Sequence, residues 1–196
     1  MKSRLAPRDI VSTADVAPRP WPNGGGAARD LLMWPSADDW RVRVALADIE
    51  ADGPFSTYPK VQRVIAIVGG GGLELSIGGA LHHVKPGARE GVVFDGGAVT
   101  TCRRLTKKTS ALNLFLRGVT GTIRPLAAGA AWAPRSPVCG LYTLQAGTCR
   151  HVDEETELPD DSLLWFDLAP PILTFSRDAW AIEISKTAPS AAVVRR

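Results

Sequence analysis

Residues 64–84 read VIAIVGGGGLELSIGGALHHV. An apolar, β-branched run, Val64 to Val68, stops at four glycines. Leu73, Leu75 and Ile77 then alternate with Glu74 and Ser76, the period-two pattern of a strand with one buried face. Gly78-Gly79 supply a tight hairpin turn, and Leu81 to Val84 form the return strand. Outward in both directions the same kind of element recurs. Upstream, Val42, Val44 and Leu46 share one face of a strand from Trp40 to Leu46, with Arg41, Arg43 and Ala45 on the other. Downstream come short strands at Val92–Phe94, Val99–Leu105 and Ala111–Leu116, punctuated by Gly and Pro. No window of eleven residues keeps helical periodicity.

The second half repeats this order. Leu141 to Leu144 corresponds to Val64 to Val68, and Gln145 to Thr148 sits where Gly69 to Gly72 sit. Val84-Lys85-Pro86 leads into Val92-Val93-Phe94-Asp95; Glu157-Leu158-Pro159 leads over a similar distance into Leu163-Leu164-Trp165-Phe166-Asp167. Each half then turns into a further strand, Val99–Leu105 or Ile172–Phe175. A strand, a Gly-rich turn, an alternating hairpin and a Pro-initiated strand is how a double-stranded β-helix (jelly-roll) barrel lays out its chain. The expected fold is all-β: a bicupin of two cupin-like halves packed together, residues 1–117 and 138–186. A stretch rich in Ala, Gly and Pro, 118–137, is expected as a linker plus one strand, and 187–196 as a loose tail.

Composition narrows the function classes. The net charge of +3 in 196 residues is small, and the basic residues are scattered rather than striped with aromatics, which argues against nucleic acid. No apolar run approaches the ~18 residues that cross a bilayer, and the first twenty residues lack the apolar core of a signal peptide. A cytoplasmic location is therefore expected, with Cys102, Cys139 and Cys149 as reduced, buried thiols.

Five features could carry chemistry. Trp21 to Asp30 reads WPNGGGAARD. Gly24 to Gly26 permit positive φ and close backbone approach, Asn23 offers amide donors and an acceptor, and Arg29 presents a planar fork suited to a carboxylate. Composition alone favours a flexible turn feeding a strand from Arg29; an anion site is the alternative. In Asp52 to Pro59, DGPFSTYP, a strong turn signal precedes Phe55 and Tyr58, which wall a pocket or cap a barrel end. His82-His83 point to opposite faces of a strand, so a three-His metal site cannot be assembled and no cofactor is expected. Arg63 precedes the apolar Val64–Val68 run. Asn113, between Leu112 and Leu114, needs partners if buried: it serves a neighbouring loop or lines a cavity.

The two signatures, in order and about thirty residues apart, resemble those of the HutD/Ves family, and Arg63 and the Leu-Asn-Leu around Asn113 fit as well. The resemblance covers residues 20–185. Pro22, Ala28 and Lys60 depart from it, standing where the family usually has a basic residue, Thr and Gly. The resemblance implies a bicupin fold and a link to histidine utilisation, with a regulatory role exerted by binding an intermediate such as urocanate or formiminoglutamate. The expected ligand is thus a small carboxylate, held by Arg29 or Arg63, with Asn23, Gly25 and Asn113 around it and Trp21 and Phe55 as apolar walls. Binding rather than catalysis is expected. A cupin-type enzyme, metal-dependent through His82 or His83 or metal-free, is the second reading, and a module that homodimerises through an open sheet edge the third.

Overall fold

The computed structural model describes residues 9–151 and 153–185; the expected tail, 187–196, lies outside the described residues. Among the described residues nineteen strands run in order: β1 (Asp9–Ser12), β2 (Arg19–Pro20), β3 (Gly26–Trp34), β4 (Val42–Ile49), β5 (Gly53–Pro54), β6 (Gln62–Gly70), β7 (Leu73–Ile77), β8 (Ala80–Val84), β9 (Val92–Asp95), β10 (Thr100–Arg104) and β11 (Thr109–Leu116). They continue as β12 (Thr120–Leu126), β13 (Ala131–Trp132), β14 (Cys139–Thr143), β15 (Gly147–His151), β16 (Glu154–Leu158), β17 (Ser162–Phe166), β18 (Leu173–Phe175) and β19 (Ala179–Ser185). The Leu73–Val84 hairpin forms as its alternation requires, with Leu75 opposite His82.

These strands make four sheets, and their pairing repeats. Sheet order β2-β3-β4-β11-β6-β9 faces β5-β10-β7-β8; order β1-β17-β14-β19-β12 faces β13-β18-β15-β16. Adding eight to each label of β4-β11-β6-β9 gives β12-β19-β14-β17, and the same shift turns β5-β10-β7-β8 into β13-β18-β15-β16. The stretch 118–137 therefore carries two strands, β12 paired with β19 and β13 with β18. The first strand crosses over: β1 lies antiparallel to β17, Asp9 opposite Trp165.

Side-chain parity explains the apolar run of β11. Leu112, Leu114 and Leu116 point to one face, where with Val42, Val44 and Leu46 they meet Tyr142, Leu163, Trp165, Trp180 and Ile182 of the second sandwich in one core. Ala111 points the other way, into the first sandwich with Ile65, Ile67, Leu73, Leu75 and Phe94. A strand buried on both faces loses the apolar-polar alternation, which makes the polar Asn113 on this inner face conspicuous. The second sandwich has its own interior of Trp132, Phe166, Phe175 and smaller residues.

All three thiols are free and buried. Burial pushes the Cys102 and Cys149 thiols up, and it raises Cys139, with a smaller contribution from Glu183, to about 12. Since the thiolate is the reactive form, native protein at pH 8 should react only slowly with Ellman's reagent and release three equivalents rapidly once unfolded in guanidinium. Rapid reaction of the native protein would contradict this core.

Candidate functional site

The register across the first sandwich stacks side chains in rows on its inner face. Arg43 of β4 is opposite Phe115 of β11, which is opposite Arg63 of β6, which is opposite Phe94 of β9. The next row is Asp30, Ala45, Asn113 and Ile65. Arg43, Phe115 and Arg63 of the first row and Asp30, Ala45 and Asn113 of the second line a cavity of about 500 Å³, its mouth bordered by two loops. One loop carries Trp21 and Asn23, the other Phe55 and Ser56. Asn23 ties them: its Nδ2 donates to the Pro54 carbonyl at 3.2 Å, and its Oδ1 accepts from the Gly25 N–H at 3.1 Å. Trp21 meets Phe55 edge to face, centroids 6.1 Å apart. Asn23→Ala removes both hydrogen bonds and is expected to cost about 1–2 kcal/mol of stability; chemical denaturation measures it, and an unchanged midpoint would refute the tie.

Arg63 is only 6% exposed. Its Nη2 donates to Asn113 Oδ1 at 3.0 Å and its Nη1 to the Ser56 carbonyl at 3.5 Å, while Nε–H has no partner among the described residues. The guanidinium carbon lies 4.8–5.7 Å from the ring centres of Phe55, Tyr58, Phe94 and Phe115. Ring faces attract a cation but offer it no negative charge. No carboxylate among the described residues pairs with it. Burial is the main cause that lowers its pKa to about 10; the field of Arg43 adds to this, and Tyr58 opposes it.

Arg43 shares the Phe115 ring but has a counter-ion: its Nε donates to Asp30 Oδ1 at 2.7 Å. Burial pulls this guanidinium down, but Tyr58 and Asp30 outweigh burial and hold it above its ordinary value.

The structure therefore brings Trp21, Asn23, Phe55, Arg63 and Asn113 together around one cavity. Gly25 sits behind Asn23 in the loop. Arg29 does not face this cavity. Ala28 and Asp30 occupy the inner face of β3, so Arg29 points out of the other, where its Nη1 donates to Asp48 Oδ2 at 3.1 Å on the edge of a second cavity between the two sandwiches. Its charge is already matched. His82 and His83 lie outside the cavity lining, His83 3.9 Å from Glu74. No group of three or more His, Cys, Asp and Glu side chains among the described residues is arranged to hold a metal ion. Sequence reasoning missed Arg43 and Asp30 as cavity residues; the signal for Arg43 is its alternation against the apolar Val42, Val44 and Leu46.

The repeat places different side chains at the corresponding positions of the second sandwich. The row Arg43, Phe115, Arg63, Phe94 corresponds to Thr122, Glu183, Cys139, Phe166. A thiol replaces the buried guanidinium, Glu183 accepts from Arg124 at 3.0 Å and from Trp132 Nε1 at 3.3 Å, and Trp132 packs its ring on Phe166 and Phe175.

This strand order is that of a cupin-like β protein. Solved structures agree: a two-residue deletion mutant of oxalate decarboxylase from Bacillus subtilis superposes with a TM-score of 0.62 at 10% identity over 94% of this chain and 78% of that one. Within that class the chain belongs to the HutD family, whose sequence pattern matches residues 13–178. HutD from Pseudomonas fluorescens SBW25, solved in a formate condition, superposes with a TM-score of 0.76 at 20% identity, covering 92% of this chain and 99% of that one. Protein Ves of Cronobacter sakazakii is 35% identical over 63 residues, 32% of this chain and 35% of Ves. An uncharacterized 21.2 kDa protein from the hutC 3' region of Pseudomonas putida is 33% identical over 72 residues, 36% of this chain and 38% of that protein. These matches span little more than a third of either curated relative's length. No helix among the described residues is long and apolar enough to cross a membrane.

Proposed function

We propose that this protein binds a small carboxylate in the first-sandwich cavity, and that binding rather than turnover is its activity. The observation that carries this reading is Arg63, a buried guanidinium whose Nε–H has no partner, and which has no carboxylate of its own, among the described residues. Isolated buried charge is costly, and an anionic ligand removes the deficit. Asn113 positions the guanidinium, Phe55 and Trp21 wall the ligand, and Asn23 with Gly25 holds the mouth together.

The family supports a place in histidine utilisation: one relative is itself named HutD and another lies in a hutC 3' region. Urocanate and formiminoglutamate are accordingly the ligands to test, with a regulatory role in which occupancy reports the level of a pathway intermediate. The eight-strand repeat of pairing supports a bicupin whose first cupin-like half holds the ligand site. A cytoplasmic location follows from the same reading, and a homodimer through a free sheet edge remains part of it.

Isothermal calorimetry with each compound tests the proposal. Saturable binding lost in Arg63→Met but kept in Arg29→Ala is the expected pattern. Absence of binding by both compounds, or loss in Arg29→Ala alone, would overturn it.

A further inference from the structure

The second cavity, of about 520 Å³, lies between the two sandwiches, on the opposite face of β3, β4 and β11 from the first. Five charged side chains line it: Arg29, Asp48, Lys108, Asp160 and Asp161. They divide by sandwich. On the first, the Asp48 carboxylate accepts from Arg29 at 3.1 Å and from Ser110 Oγ at 2.7 Å, and Lys108 Nζ stands 3.8 Å from it. Two cations over one carboxylate leave this wall one positive charge in excess, on Lys108. On the second, the Asp161 carboxylate accepts from the Tyr142 hydroxyl and from Thr13 Oγ1 at 2.7 Å. Hydroxyls orient a carboxylate without neutralising it, and no cation among the described residues pairs with Asp160 or Asp161. Tyr142 is fully buried. Burial first, then Asp161, hold its hydroxyl above the ordinary tyrosine pKa, so it stays the donor. The fields of Asp48 and Arg29 also reach this hydroxyl, so the two charged walls face each other at close range. Between them the cavity has an apolar floor of Leu46, Val68 and Leu144.

We infer that this inter-sandwich cavity is a second binding site, for an amino acid in its zwitterionic form. The ammonium group meets Asp161, the carboxylate meets Lys108, and an apolar side chain covers Leu46, Val68 and Leu144. A lone anion would face Asp160 and Asp161, and a lone cation would face Lys108, so the opposed walls discriminate against both. Asp160 is exposed and keeps its charge in water. The two poles of the site come from different halves of the chain. Thr13, on the segment that passes from β1 on the second sandwich to β2 on the first, braces the acidic pole: its N–H donates to the Asp161 carbonyl at 3.0 Å. The site is separate from the carboxylate reading above and does not depend on it.

The test titrates L-leucine, 4-methylpentanoate, which lacks the ammonium group, and 3-methylbutylamine, which lacks the carboxylate, by NMR at pH 7. The proteins are wild type, Asp161→Asn, Lys108→Met and Arg63→Met. Asp161 has φ +41°, a conformation that Asn also tolerates, and the Asn carbonyl still accepts a hydrogen bond. Wild type is expected to bind leucine at least tenfold more tightly than either analogue. Asp161→Asn and Lys108→Met should each weaken leucine at least fivefold, and Arg63→Met, altered only in the first cavity, should bind it as wild type does. Absence of saturable leucine binding overturns the inference, as does an analogue that binds as tightly as leucine, or unchanged leucine affinity in either folded variant of this cavity. Loss of leucine binding in Arg63→Met would place the amino acid in the first cavity and overturn it as well. Should Asp161→Asn fail to fold, Lys108→Met decides, because its side chain is 65% exposed.

Discussion

Arg63→Met is expected to weaken urocanate binding at least a hundredfold while shifting the melting temperature of the ligand-free protein by less than about 5 °C. Truncating a buried, hydrogen-bonded charge that meets an opposite charge costs about 2–5 kcal/mol, and a hundredfold corresponds to about 2.7 kcal/mol. The stability side has opposing contributions. Burial lowers the Arg63 pKa to about 10, which on the scale of 1.36 kcal/mol per unit makes the charged side chain a cost of about 3 kcal/mol. The sign follows from proton linkage: below pH 10 both folded and unfolded chains carry this proton, so the cost is complete at neutral pH and is relieved only as pH rises from about 10 to the unfolded value. Met removes that cost. It also removes the cation–ring contacts, about 0.5–2 kcal/mol, and leaves Asn113 Oδ1 without its donor, about 1–3 kcal/mol. These nearly cancel, and at about 2–4 °C per kcal/mol for a chain of this size the melt should hardly move. Adding Asn113→Leu removes the orphaned amide as well, so the double variant should melt above Arg63→Met. Calorimetry and thermal denaturation on the three proteins measure both effects. Retained urocanate affinity in Arg63→Met would refute the assignment of the anchor; collapse of the fold would mean that Arg63 is structural.

Much of this architecture was legible in the residues, and the losses have physical causes. Strands whose partners lie close in sequence declared themselves: Leu73–Ile77 and Leu81–Val84 pair through the two-residue Gly78-Gly79 turn. β1 pairs with β17 more than 150 residues away, and no local pattern in Asp9–Ser12 announces that. β12 and β13 hide in a stretch rich in Ala, Gly and Pro, and β19 follows the strand taken as the last of its half, although Trp180, Ile182 and Ile184 alternate clearly. Of the site, Arg63 and Asn113 stood out because a cation and an amide interrupt apolar strands. Asp30 and Arg43 did not, because what marks them is pairing across β3 and β4. Arg29 was placed by motif alone; strand parity, which puts Ala28 and Asp30 inside, turns it outward to Asp48.

Gly26→Ala is expected to destabilise the protein by about 3–5 kcal/mol, the cost of a residue forced where backbone geometry forbids it, and so to lower its melting temperature by about 10 °C. Gly26 has φ +150°, and a Cβ there would stand 2.1 Å from the Asp48 carbonyl oxygen. Neither strand can retreat. Gly26 is opposite Ile49 in the β3–β4 ladder, and its own carbonyl accepts from the Trp21 N–H at 2.8 Å. Asp48 is fixed on the far side, where its carboxylate accepts from Arg29 and from Ser110 Oγ at 2.7 Å. Two residues earlier, Gly24 also has positive φ (+68°), but a Cβ added there meets nothing within 4 Å. Gly24→Ala should therefore cost only the left-handed penalty, about 1–2 kcal/mol. Thermal melts of the two variants separate these cases, and equal losses would mean that strain alone, not the Asp48 contact, governs the loop. Urocanate titration adds the functional half: Gly26→Ala should also weaken binding, because Trp21 hangs from the Gly26 carbonyl, whereas Gly24→Ala should bind nearly as wild type. The close approach that glycine permits in this segment is thus made by a neighbouring strand, and the segment serves the ligand by holding Trp21 and Asn23 at the mouth.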